Sequence, residues 1–195
     1  ASSCSEIITR LVENLDGKLK LNAKAARLLY AGIVGDTGRF MYNATTPATM
    51  RAAAKLMEYD FDATQVNRIL DEVTPEVARL SAYVLENIKY TEHNAAYVVL
   101  DNETLARFTL EDAGTASIVP LVGKISSVVC WTVIVQQKDE TYRLRIRSKG
   151  PVINELAKEY AGGGHPLASG AVLKSLDELP TYLAKLDKIA ATAEK

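Results

Sequence analysis

The chain has 195 residues, 48% of them hydrophobic and 24% charged, and a formal net charge of −1 at pH 7. That length admits one large domain or two small ones with a sizeable core, and the near-neutral charge argues against an extended groove for duplex nucleic acid. Two cysteines, Cys4 and Cys130, form neither a disulfide framework nor a CxxC metal knuckle, which fits a reducing, cytoplasmic setting.

Ser3-Cys4-Ser5-Glu6 has the spacing of a capping box and predicts a helix whose apolar face is Ile7, Ile8, Leu11, Val12 and Leu15, stopped at Asp16-Gly17. Asn22 caps a second helix, Ala23 to Val34, apolar nearly all round and so expected to be buried on several sides. It runs into Gly35-Asp36-Thr37-Gly38-Arg39-Phe40. Thr46-Pro47 opens a third helix with Met50, Ala54 and Met57 inward, and Asp62 starts a fourth, to about Leu70. Thr74-Pro75 opens a longer one to about Lys89, striped by Val77, Leu80, Val84, Leu85 and Ile88.

From Ala95 the texture changes to strands: Ala96–Asp101, Val128–Gln137 and Thr141–Ser148, with a helix within Glu111–Ile125 and a polar turn at Asp101-Asn102-Glu103. A short helix, Val152 to Tyr160, precedes the loop Ala161-Gly162-Gly163-Gly164-His165-Pro166-Leu167. A strand at Ala171–Lys174 and a helix from Asp177 to about Ala191 close the chain. The expected fold class is α/β in the α+β sense. A helical part, 1–74, is followed by a connecting helix and linker, 75–94, and a mixed or antiparallel sheet domain, 95–195. No apolar run approaches the ~20 residues of a membrane span, and no signal peptide is evident. The chain opens almost directly on a helix signal without an initiator Met, as expected for a segment of a longer protein.

Three stretches could carry chemistry. The triple glycine offers backbone N–H groups that a ligand can approach closely, a donor set suited to phosphate or carboxylate, with His165 and Ser169 beside it; a plain flexible loop is the other reading. Alternation along Tyr142–Ser148 places Arg143, Arg145 and Arg147 on one sheet face, either a phosphate fork or a solvated surface. Arg147, at the strand end, has the stronger case for a site. Asp36 is either a turn aspartate bonded to its own backbone or a metal ligand lacking partners. His93 reads as a surface residue of the linker, and Cys4 and Cys130 as core or near-core residues.

The Asp36 stretch together with Gly162-Gly163-Gly164-His165 and Ala168-Ser169-Gly170 resembles the DHH phosphoesterase superfamily. The closer match is its nanoRNase branch of oligoribonuclease and adenosine-bisphosphate phosphatase type. The Ser2–Ile8 opening and the Arg147-Ser148 strand end fit as well. Only the fourth of the family's metal motifs, at Asp36, has a counterpart here, so the chain resembles the C-terminal portion of such an enzyme: the tail of a catalytic domain, a connecting helix and the substrate-binding domain. The resemblance implies that Asp36 ligates Mn²⁺ in the intact protein. It further implies that Arg147, Gly162, Gly163, Gly164, His165 and Ser169 contact the phosphate or terminal nucleotide of short single-stranded RNA or a bisphosphonucleotide. The chain alone is then expected to hold no tight metal pair and to bind without cutting. A cyclic-dinucleotide phosphodiesterase, a single-strand DNA exonuclease and a non-catalytic nucleic-acid-binding module are the alternatives. A homodimer is left open.

Overall fold

The computed structural model describes residues 1–15 and 18–193, so the helix stop expected at Asp16-Gly17 lies outside the described residues. The chain divides into two compact units, Ala1–Glu72 and Val73–Lys195.

The first unit contains α1 (Cys4–Asn14), α2 (Ala23–Asp36), α3 (Pro47–Leu56) and α4 (Ala63–Asp71). Ser3, Asn22, Thr46 and Asp62 each accept a backbone N–H of the first turn, the N-cap bond that ends the chain's extended run and starts the helix. The core gathers Ala26, Tyr30, Ile33, Val34, Ala52, Ala53, Leu56 and Val66.

Two helical faces depart from expectation. On α1 the buried residues are Glu6, Thr9 and Val12, while Ile7, Ile8 and Leu11 are about half exposed. The cause is polar. The Glu6 Oε2 accepts from the Ser2 N–H (2.7 Å), the Ser2 hydroxyl (2.8 Å) and the Thr49 hydroxyl of α3 (2.9 Å). Helix α2 also approaches α1 so closely that a Cβ on Gly32 would stand 2.1 Å from the Ser5 hydroxyl. On α3 the inner side is Thr49, Ala52, Ala53 and Leu56, leaving Met50, Ala54 and Met57 outside. Cys4, read as core, is exposed.

The second unit is built on one six-stranded sheet: β1 (Lys89–Tyr90), β2 (Ala95–Leu100), β3 (Cys130–Gln136), β4 (Tyr142–Ser148), β5 (Gly163–His165) and β6 (Ala168–Leu173). The order is β1-β2-β3-β4-β6-β5, with β2 and β3 parallel and the other neighbours antiparallel, a mixed sheet. One face is covered by α5 (Pro75–Asn87), α6 (Asn102–Arg107), a 3₁₀ segment (Asp112–Ile118) and α7 (Val119–Val122), through Leu80, Val84, Leu105, Ile118 and Val119 against Val98, Leu100, Val133 and Val135. The other is covered by α8 (Asn154–Glu159) and α9 (Leu179–Ala190), whose Leu156, Tyr182 and Leu186 meet Ile134, Leu144, Ile146 and Leu173.

Helix α5, set apart in the sequence as a connector, thus belongs to the core of the second unit. The single helix expected within 111–125 is a 3₁₀ segment followed by one turn of α-helix, as Gly114 and Pro120 dictate. The polar turn after β2 is instead the cap of α6: Asp101 Oδ1 accepts the Thr104 N–H at 2.7 Å.

Candidate functional site

Opposed residues of an antiparallel ladder share a sheet face, so the register alone lays out the site. Arg147 stands opposite Ala168, and Ala168 opposite His165. Arg145 stands opposite Gly170, and Gly170 opposite Gly163; Arg143 stands opposite Val172. The result is an open trough of about 500 Å³ lined by the three arginines, Ala161–Gly164 and Ala168–Val172. Its floor is glycine and alanine. The arginine row stands along one side, with exposed His165 at the rim next to the Arg147 end.

The glycine loop of the sequence reading is therefore partly a strand. Gly163 to His165 form β5, and β6 begins at Ala168, three residues earlier than expected. Gly162 sits so close to β6 that a Cβ would lie 2.0 Å from the Gly170 carbonyl oxygen. The corner is fixed by its surroundings. Ala161 takes a left-handed φ of 53° after α8, the Gly162 N–H bonds the Ala157 carbonyl at 2.9 Å, and the Val172 N–H bonds the Tyr160 carbonyl at 2.9 Å. The Pro166 and Leu167 carbonyls accept the Ile153 and Ser148 N–H groups.

Each candidate residue has a definite place. Arg147 is half-buried, its Nη1 donating to the Ile146 carbonyl at 2.8 Å and reaching the Ser169 carbonyl at 3.4 Å. Arg145, with 16% of its side chain exposed, donates to Asp112 Oδ1 (2.7 Å), the Thr115 hydroxyl (2.8 Å) and the Asp112 carbonyl (3.3 Å). Arg143 is half exposed and donates to Asp112 Oδ2. Asp112, 31 residues before Arg143, is the partner that local sequence reasoning did not supply, since its pairing is purely tertiary.

Ser169 lines the trough through its backbone only, its side chain turned to the opposite face of the sheet. It is buried, lies opposite Ile146 on the α8/α9 side of the sheet, and spends its hydroxyl on the His165 carbonyl at 2.9 Å. Its part is to hold the corner.

In the first unit, Asp36 is the last residue of α2, exposed, and its carboxylate has no hydrogen-bond or ion-pair partner among the described residues. A carboxylate there faces the negative end of the helix dipole, a position that fold stability does not favour. The turn that follows is strained: Gly38, Arg39 and Phe40 take φ of 53°, 58° and 66°. Thr37 braces it by donating to the Ile33 carbonyl (2.7 Å) and accepting the Phe40 N–H (3.0 Å), and Arg39 by its ion pair with Asp71 (3.0 Å).

Among the described residues the His/Cys/Asp/Glu group close enough to share a cation is Glu92, His93 and Asp187, and Asp36 is not part of it. Asp36 alone does not make a metal centre. His93 is an exposed clasp instead: its N–H donates to Asp187 Oδ1 and its Nδ1 lies 2.8 Å from Oδ2. Cys130 is inert, since burial pushes its thiol up to about 12.

Fold and site together define an α/β domain whose mixed sheet carries, on one open face, an arginine row beside a floor of glycine and alanine with an imidazole at its rim. Residues 93–192 match the DHHA1 domain model, and the chain belongs to that family, within the DHH superfamily. It is 52% identical over 178 residues, covering 91% of this chain and 57% of the relative, to a protein of Streptococcus mutans named a probable bifunctional oligoribonuclease and PAP phosphatase NrnA. It is 42% identical over 195 residues to the Bacillus subtilis bifunctional oligoribonuclease and PAP phosphatase NrnA, all of this chain and 62% of that one. An exopolyphosphatase-related protein of Bacteroides fragilis shares the fold, with a TM-score of 0.88 and 24% identity over 98% of this chain and 58% of that structure. The chain thus spans about three fifths of the length of the curated relatives it matches.

Proposed function

We propose that the trough holds the phosphate end of a short oligoribonucleotide or a bisphosphonucleotide, and that the chain is the substrate-binding part of a DHH-superfamily phosphoesterase working in the cytoplasm. The observation that carries this is the placement of Arg147, Gly163, Ala168, Gly170 and His165 on one open sheet face. A guanidinium matches phosphate oxygens bidentately. The imidazole of His165 donates to the same phosphate, and a floor without side chains beyond Cβ lets a flat sugar–base unit lie close to the backbone. The names of the Streptococcus and Bacillus relatives support the choice of ligand.

Asp36 is proposed as one Mn²⁺ ligand, a role that suits a carboxylate without structural partners. Such a metal would activate a water and stabilise charge on phosphorus when bound. The residues of this chain bind and orient; with a single ligand they do not hydrolyse.

Calorimetric titration with the dinucleotide pApA tests the reading. The chain binds it weakly but measurably, and His165→Ala lowers the affinity about tenfold or more, the worth of a hydrogen bond to a charged group. Equal binding by the variant would remove His165 from the site.

A further inference from the structure

We propose that the trough measures substrate length, with Arg143 as a second phosphate contact that only an oligonucleotide reaches. This rests on the reading above and specifies the ligand of the same site. The two ends of β4 differ. At one end Arg147 lies in the row of Ala168 and His165; at the other Arg143 lies beside Val172, itself 38% exposed. A strand rises about 3.4 Å per residue, so the two positions, four residues apart, are about 14 Å apart. Both line one continuous depression.

Between them, Arg145 is withdrawn. Its guanidinium is taken by Asp112 and Thr115, and it serves to pin the 3₁₀ segment to the sheet. Arg143 is not so committed. Its contact is an ion pair with Asp112, and its side chain is 51% exposed. An exposed pair of this kind is worth at most about 1 kcal/mol, so a phosphate can join or replace the carboxylate. Val172 adds an apolar surface for a ribose or base at that end.

A bisphosphonucleotide carries both phosphates on a single ribose. Gripped at the Arg147 end, it leaves Arg143 untouched. A trinucleotide places a phosphate two linkages further along, at the scale of the arginine separation. Arg143 therefore adds affinity for oligonucleotides and none for the mononucleotide.

The test is titration of the full chain, wild type and Arg143→Gln, with 5′-phosphorylated triadenylate and with adenosine 3′,5′-bisphosphate at several salt concentrations. The expected result is a loss of about three- to fivefold for the trinucleotide. Its logarithmic salt slope becomes shallower by about 0.7, one phosphate contact on a single strand. Arg143→Lys restores part of both, and the bisphosphonucleotide is unaffected. An undiminished trinucleotide affinity, or an equal loss for both ligands, overturns the length reading and leaves the trough assignment standing. Failure of the wild-type chain to bind either ligand overturns both.

Discussion

Glu6 is buried between α1 and α3, its Oε2 bonded to Ser2 and Thr49 and its Oε1 3.6 Å from Arg10. Burial opposes ionisation there, yet the Ser2 and Thr49 bonds outweigh it and hold the carboxyl below its ordinary value of 4.5. A carboxyl with a depressed folded value contributes stability that is present above the ordinary value and lost as pH falls through the folded one. The urea midpoint of the first unit, followed by circular dichroism, therefore falls as pH drops below that ordinary value of 4.5. Glu6→Ala removes that pH dependence and costs about 1–3 kcal/mol, because the Ser2 and Thr49 donors lose their acceptor. An unchanged pH profile in Glu6→Ala would show that the network does not hold α1 to α3.

At the scale of elements, β5 and β6 separate two roles that the triple glycine merges in the sequence. A Cβ at Gly162 would overlap backbone of Gly170 and Ala171, whereas one at Gly163 meets nothing within 4 Å. Gly162→Ala is expected to force β5 off β6 and lower the melting temperature by several degrees, at about 1–3 kcal/mol for a clash in a packed region. Gly163→Ala leaves melting nearly unchanged, but its methyl rises from the trough floor in the row of Gly170 and Arg145 and weakens dinucleotide binding. Thermal melts paired with titrations decide both. The arginine row on β4 was legible from alternation alone. The withdrawal of Arg145 between a half-buried Arg147 and a half-exposed Arg143 was not, because Asp112 and Thr115 come from another element. Likewise the caps of α1 to α4 were readable, while the inward phase of α1 was set by hydrogen bonds to Glu6 rather than by hydropathy.

At the scale of the molecule, the trough is lined entirely by residues of the second unit, which has a hydrophobic cluster on each side of its sheet. Residues 73–195 alone are expected to fold cooperatively and bind pApA as tightly as the whole chain; a loss of binding in that fragment would place part of the site elsewhere. Local chemistry written in the chain, its caps and its alternation, decided where the helices of the first unit start, that β2, β3 and β4 are strands, and which face of β4 is charged. These properties depend on neighbours a few residues away. The packing of distant segments decided that β6 lies between β4 and β5, that the Ser169 side chain turns away from the trough, and that Arg145 is held while Arg143 is left half exposed. Those outcomes follow from strand pairing and from a single carboxylate shared across 31 residues, which no local pattern encodes.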